Sequence, residues 1–446
     1  MKAARRQEQR ISLHFDATVG VEHPSPHQMT SRTLTLVLIL AQSACIGFKV
    51  RNQNAALGPL AEFEGSVSTG EIAVEPGRPI IVLLVREDGE KPHVESSAVL
   101  YRPGPYHFFA NEGRYSVFAF ADLNSNLSID EGEPRAVSSK QLLLHEGKLH
   151  SSVDLTLRDG AGITAVDWHP KHDETITIED NRLRERMGRK GHWAPAEWRI
   201  ESGDDRLFLM EPFDPNRIPI VFVPGVGGTP DDMKAVIASL DHSRYQVWLF
   251  WYASGMRMSL SAQSLKSVLD EYRVLHDFSN LVVVSQCVGG MVARDAVAQM
   301  QEVEHPYSVA ALVTFSTPWA GHNMARSGTS ISPMTVPAWY DMTEGSEFQK
   351  HIIATALPQV PHYMFFSYGK GSDVGDDGTV ALTSELDLTM QRRATEVIGF
   401  SETHMGIVTN KESLDHFNEI LTKVQQQVAA RHQQQLGPAS SSASSR

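Results

Sequence analysis

A chain of 446 residues with a formal charge of -13 and only two cysteines excludes several classes at the outset. The acidic balance argues against non-specific nucleic-acid binding, which rests on neutralising phosphates. Cys45 and Cys287 supply no disulfide framework, so the fold must rest on buried cores, and the length is enough for two or three domains.

Residues 1–45 read as a leader. Residues 1–28 are a polar extension, and translation starting at Met29 would remove it. Leu34 to Ala41 form a short apolar core behind Arg32, followed by Ser43, Ala44 and Cys45, which is the layout of an export signal and too short for a membrane span. Leu40-Ala-Gln-Ser-Ala before Cys45 resembles a bacterial lipoprotein box, with Gln42 where such boxes usually carry an apolar residue. Two fates follow for an exported chain: peripheral membrane attachment through a lipid on Cys45, or simple cleavage and secretion. A buried strand or helix of a cytoplasmic protein is the alternative.

From about residue 60 to 160 the signals are those of an all-β sandwich. Ile80 to Val85, Ser97 to Tyr101, Tyr115 to Ala121 and Val153 to Leu157 are predicted strands, while Pro103-Gly-Pro105 and Asn111-Glu-Gly113 are predicted turns. Within this region Asp122, Asn124, Asn126, Asp130 and Glu133 place oxygens at loop positions that a calcium ion requires. Leu127 stands where the EF-hand loop has Gly, so the segment reads either as a calcium loop in a β context or as a solvated Asx-rich turn that binds nothing. Residues 161–205 are polar and irregular, a linker or an arm packed on the next domain. His169, His172 and His192 within it are spaced too loosely for a persuasive metal site.

From residue 206 to about 430, strands and helices alternate, which implies a mostly parallel sheet with helices on both faces. Ile218 to Val223 is a predicted strand, left by the loop Pro224 to Gly228. Thr229-Pro-Asp-Asp232 opens a helix with an N-cap hydroxyl, Pro at its first position and acids in its first turn. Tyr245 to Trp251 is the next strand. Leu281 to Val284 is a continuously apolar run ending at Cys287, Gly289 and Gly290, after which Val292, Ala296, Val297 and Met300 recur at helical spacing. Strand, sharp turn and helix make a nucleophile elbow with Cys287 at its apex. Further strands are predicted at Val309 to Phe315, His362 to Tyr368 and Thr395 to Phe400. Residues 323–360 are a candidate cap, Leu414 to Val424 face the sheet from a last helix, and residues 431–446 are expected to be a disordered tail.

A nucleophile at an elbow needs a general base, and the base needs an orienting carboxylate. Asp377, directly before Gly-Thr-Val380, and His404, between the last strand and last helix, follow Cys287 in the order acid then base. His322, His351 and His362 compete with His404, but none lies in that loop. The backbone amides of Val226 and Val288 are the candidate oxyanion hole, donors worth roughly 3–4 kcal/mol each. A phosphate-binding reading of Pro224 to Gly228 fails for want of a P-loop Lys and of the dinucleotide glycine spacing. No cofactor is called for by this chemistry.

Phe213 to Pro230, the elbow, Ser316-Thr-Pro-Trp319, Asp377 to Val380 and His404 together resemble bacterial exported lipase-like α/β-hydrolases, over about residues 205–425. The resemblance implies the α/β-hydrolase fold and action on ester bonds of lipid-like acyl substrates. Two departures stand out: Pro224-Gly225 replaces the family's His-Gly, and Ser285-Gln-Cys-Val-Gly-Gly290 replaces its Gly-His-Ser-Met-Gly-Gly. Polyhydroxyalkanoate synthases also resemble this elbow, with Cys as nucleophile for acyl transfer from thioesters. The readings are thus a Cys-His-Asp hydrolase of carboxylic or thio esters, an acyltransferase or polyester-type synthase with the same acyl-enzyme, and a catalytically idle surface-binding protein.

Overall fold

The computed structural model describes residues 60–435, apart from 89–90, 140, 145–148, 151–152, 161–162, 164–165, 171, 204, 302–305, 323–324, 326–334 and 370–374. The expected export signal, the expected lipoprotein box with Cys45, much of the candidate cap and residues 436–446 lie outside the described residues. Among the described residues, no helix is long and apolar enough to cross a membrane.

The first region is built from two sheets. Strands β1 (Leu60–Ser68), β4 (Gly104–Asn111), β8 (Leu149–His150) and β9 (Leu155–Thr156) form one; β2 (Ile80–Arg86), β3 (His93–Leu100), β5 (Gly113–Ala121), β6 (Arg135–Val137) and β7 (Leu142–Leu144) form the other. Phe63, Val67, Tyr106 and Phe108 from the first sheet and Val82, Leu84, Tyr115 and Val117 from the second make the core between them. The apolar run of β2 has a second purpose. Its other face, Ile81, Leu83 and Val85, packs with Phe118, Phe120 and Trp168 against Val274 and Leu275 of the second region, so both faces of this strand are covered. Asn111-Glu112-Gly113, expected as a turn, is a corner where the chain leaves β4 in one sheet and enters β5 in the other.

The second region holds a seven-stranded sheet in the order β10-β12-β11-β13-β14-β15-β16. These strands are β10 (Arg206–Leu209), β11 (Ile218–Val223), β12 (Tyr245–Trp251), β13 (Asn280–Gln286), β14 (Ser308–Phe315), β15 (His362–Ser367) and β16 (Glu396–Phe400). All neighbours run parallel except β10 against β12. Sequential strands that exchange places at the centre of a parallel sheet, with helices on both faces, make this the α/β-hydrolase fold, preceded by the small β sandwich.

The residues 161–205 contain helices α1 (Glu185–Trp193) and α2 (Pro195–Ser202), a correction to the irregular segment expected there. Gly188 and Gly191 break the apolar period of α1, but both are sites of close packing: a Cβ at Gly188 would lie 2.4 Å from the Gly227 carbonyl oxygen, and one at Gly191 would press on Trp198. After Thr229 the chain first makes a 3-10 turn, Pro230–Met233, closed by a Thr229–Asp232 capping box, and then α3 (Lys234–Ala238). The others are α4 (Met258–Leu275), α5 (Gly289–Gln301), α6 (Pro337–Met342), α7 (Glu347–Ala354), α8 (Leu382–Glu385), α9 (Leu388–Arg393) and α10 (Lys411–Gln435). Helix α10 therefore runs through part of the stretch expected to be a tail. One face of the sheet is covered by α4 and α5, the other by α3 and α10.

Helix α4 joins the two regions. Gln263 on it accepts from the Phe109 amide at 2.6 Å and donates to the Phe109 carbonyl at 3.0 Å, continuing the edge of β4 as another strand would. Arg199 of α2 pairs with Glu95 of β3 at 2.9 Å. Burial acts against the Glu95 charge, but Arg199, His93 and Arg86 together outweigh burial and hold the carboxyl down at about 2.

Candidate active site

Cys287 follows β13 directly and has φ of 53°, the left-handed region that a residue with a Cβ rarely enters. The strain is held from both sides: the Cys287 amide donates to the Phe315 carbonyl at the end of β14, and the Cys287 carbonyl accepts from Gly290 as α5 begins. Neither Gly289 nor Gly290 has positive φ. Their lack of a side chain serves close approach instead. A Cβ on Gly289 would lie 2.4 Å from the Pro224 carbonyl oxygen, and one on Gly290 would strike the Thr317 hydroxyl. A Cβ on Gly225 would stand 2.8 Å from the Cys287 Cβ, so the loop after β11 lies directly against the elbow.

That loop contains Val226. Its neighbours spend their amides on the fold: Gly227 donates to Ser254 Oγ at 2.9 Å and Gly228 to the Gly225 carbonyl at 3.2 Å. Among the described residues, the Val226 and Val288 amides donate to no other group. Two further contacts fix the loop. The Tyr252 hydroxyl donates to the Pro224 carbonyl at 2.8 Å, and burial, reinforced by the facing Cys287, keeps that phenol protonated. Helix α1 lies over Gly227 and Gly228 through Gly188.

His404 and Asp377 arrive from the opposite side. Asp377 sits in the turn before α8, with Oδ1 accepting from the amides of Thr379 at 2.9 Å and Val380 at 2.7 Å. Its Oδ2 accepts from Ser367 Oγ at 3.0 Å and meets His404 Nδ1 at 2.6 Å. The Asp377 carbonyl also accepts from the His404 amide at 3.0 Å, so backbone and side chain fix one ring orientation. The other edge of the ring is in hydrogen-bond contact with Cys287. Burial disfavours an imidazolium here, yet Cys287 and Asp377 on its two edges outweigh it and push the His404 pKa up to about 10. Burial likewise opposes the Asp377 charge, and His404 with the two amides overrides it, bringing that carboxyl down to about 2.

Thus Cys287, His404 and Asp377 are brought together, and Val226 and Val288 flank the thiol. The competing histidines are placed otherwise. His362 is in the core against Trp319 and Thr314, its pKa pushed down to about 3 by burial. His351 lies 3.6 Å from Asp295. His322 is beside the site: its ring bonds the Thr379 backbone and faces His404, and burial together with that charge holds its pKa low. His169, His172 and His192 do not converge; His192 accepts from Trp339 Nε1 at 3.0 Å, while His172 lies beside Glu271 at 3.3 Å. Among the described residues, the one trio of His, Cys, Asp or Glu with the spacing of a metal site is Asp377, Glu385 and His404.

The loop from Asp122 to Glu133 is elsewhere, at the end of β5. Asp122 accepts from the amides of Asn126 and Leu127, Glu133 from those of Leu123 and Asp130, and Asp130 Oδ2 gathers the side-chain amides of Asn124 and Asn126. Leu127, with φ of 55°, takes the left-handed position where Gly is usual and is buried.

Two site residues, Ser367 and Glu385, were not singled out in the sequence, and Ser316 was named only within its motif. Ser316 directly follows β14 and Ser367 ends the neighbouring parallel strand β15, where ligand groups gather in such sheets, and this position was the available clue. Ser316 Oγ lies 2.6 Å from Ser367 Oγ, which in turn reaches Asp377. Glu385, one residue after Ser384 on a single-turn helix, stands outside the motifs singled out in the sequence and is buried beside Asp377.

No family model matches the chain, and no curated protein does. Solved structures do. The Bacillus licheniformis lipase BlEst2 in mature form is 20% identical, with 48% of this chain and 97% of that chain covered and a TM-score of 0.37. Its propeptide form is 19% identical, with 48% and 53% covered and a TM-score of 0.39. A structure from a study of carboxylesterases of the thaumarchaeon Nitrososphaera gargenis is 13% identical, with 50% and 96% covered and a TM-score of 0.36.

Proposed function

We propose that the chain is an ester hydrolase that works through an acyl-thioenzyme on Cys287, with His404 as acid and base, Asp377 as its orienter and the Val226 and Val288 amides as the oxyanion hole. The observation that carries this reading is the strained Cys287 in contact with a histidine whose other edge is held by a buried carboxylate. An idle fold has no use for that strain. The lipid-like acyl class comes from the resemblance of the motifs, and the half-exposed Met405 next to His404 offers an apolar surface for such a chain.

The steps follow from the geometry. Sulfur of Cys287 attacks the ester carbonyl carbon, and the carbonyl electrons move to oxygen, which the two free amides receive. Because His404 holds its proton at neutral pH, it protonates the leaving alkoxide as the carbon–oxygen bond breaks. The acyl group is now a thioester. His404, having lost its proton, takes one from water; the hydroxide adds to the thioester carbonyl, and the Cys287 thiolate departs with the acid product released. With the proton taken from water, His404 is again the imidazolium beside the departed thiolate, and the cycle closes.

The test is turnover of p-nitrophenyl acyl esters with and without prior iodoacetamide. Hydrolysis abolished by alkylation, and by Cys287→Ala, is the expected result. A stoichiometric burst without turnover assigns the acyl group to an acceptor other than water. No burst in the wild type, with esterase activity created by Cys287→Ser, makes the site idle.

A further inference from the structure

The site holds two buried carboxyls, and the mechanism above uses one. Glu385 is 1% exposed, and its Oε2 accepts from the Ser367 amide at 3.2 Å, the same serine whose hydroxyl donates to Asp377. Its other oxygen, Oε1, is buried and meets no donor among the described residues. Metal-ligand atoms of Glu385, Asp377 and His404 lie within 4.8 Å of one another, and the Glu385 and Asp377 carboxyls are within hydrogen-bond reach.

Two carboxylates so close in a buried site cannot both be charged at low cost. Asp377 has every reason to keep its charge: two amides, a hydroxyl and the imidazolium point at it. Glu385 has one amide. The oxygen without a donor is where a proton solves both problems, because a carboxyl O–H becomes a donor with Asp377 in front of it.

We propose that Glu385 is a positioning residue of this site: it stays protonated and donates that proton in a hydrogen bond to Asp377, fixing the carboxylate against which His404 is held. The inference rests on the proposed roles of Cys287, His404 and Asp377. The titratable groups that face Glu385 are Asp377 from its own turn and His404 from the loop after β16, with His322 facing those two from the loop after β14. Burial first, then the Asp377 charge, pushes the Glu385 pKa up to about 9, so the proton is held through neutral pH. In this role the side chain acts through Asp377.

Three measurements on the full chain test this. Infrared difference spectra of wild type against Glu385→Gln at neutral pH should contain a protonated-carboxyl stretch that the variant lacks. Its absence from the wild type overturns the proposal. The rate at which iodoacetamide alkylates Cys287, followed against pH, should fall about tenfold or more at neutral pH in Glu385→Leu, which keeps volume but has no donor. Glu385→Gln, whose amide can still donate, should recover most of that loss. Equal rates in a folded Glu385→Leu and the wild type overturn the proposal, as does a Gln variant no better than Leu. With an ester substrate the Leu variant should lose kcat with KM little changed. The first two readouts need no turnover, so they decide the role of Glu385 even where the hydrolase reading fails.

Discussion

Two acid-rich stretches of this chain look alike in sequence and behave differently in space. From Asp122 to Glu133 the buried carboxylates are answered mainly by amides of their own loop. From Asp377 to Glu385 the amides of Thr379 and Val380 are joined by groups from other elements, the hydroxyl at the end of β15 and a histidine after β16, and the two carboxyls also face each other. The first arrangement stabilises the turn that contains it and asks nothing of the rest of the molecule. The second leaves charge and proton unevenly shared between distant segments, which is the condition for proton transfer.

The sharpest way to break that contrast is Asp377→Asn. It keeps the volume but loses the charge that opposes the imidazolium, and kcat on an active ester should fall on the order of 10⁴-fold, read by steady-state kinetics. In the other loop, Asp122→Ala leaves the Asn126 and Leu127 amides without their acceptor, and should lower the unfolding free energy by about 1–3 kcal/mol in a urea titration. The same titration addresses calcium. Added calcium chloride is expected to raise the wild-type midpoint by mass action and to leave that of Asp122→Ala in place. A wild-type midpoint indifferent to calcium and to chelator returns the loop to a self-capped turn.

The smallest expected effect is on the pH dependence of melting. Glu385 releases its proton near 4.5 in the unfolded chain and at about 9 in the fold, so the native state binds the extra proton and stability falls as pH rises across that window. His404, raised from 6.5 to about 10, stabilises fully below 6.5 and loses that contribution as pH rises through about 10. Asp377 has the opposite sign: its contribution is present above 3.8 and disappears as pH falls through about 2. Glu385→Gln should therefore flatten the alkaline decline of the melting temperature without removing it. An unchanged slope would locate the decline in His404 alone.

What could be read from the sequence follows the range of the interactions. Cys287, Asp377 and His404 stand in loops after parallel strands, and strand, turn and helix are each coded by near neighbours. Strand β11 falls where the pattern placed it, Ile218–Val223, because an apolar run between polar loops is a local signal. Glu385 was not legible, since its burial depends on a short helix folding back on the end of β15. Strand β4 was hidden by Gly104 and Pro105, read as turn residues; it lies at a sheet edge, where proline's missing donor is tolerated. Helix α1 was hidden by glycines whose purpose is contact with another loop.

That contact also makes the two walls of the site depend on different parts of the chain. The elbow is one strand–turn–helix unit, held at its apex by the Phe315 carbonyl of β14. The loop facing it is pinned by α1, seated glycine to carbonyl on Gly227 and Gly228. A change in the arm that lifts α1 therefore reaches the loop against Cys287 without altering the elbow itself.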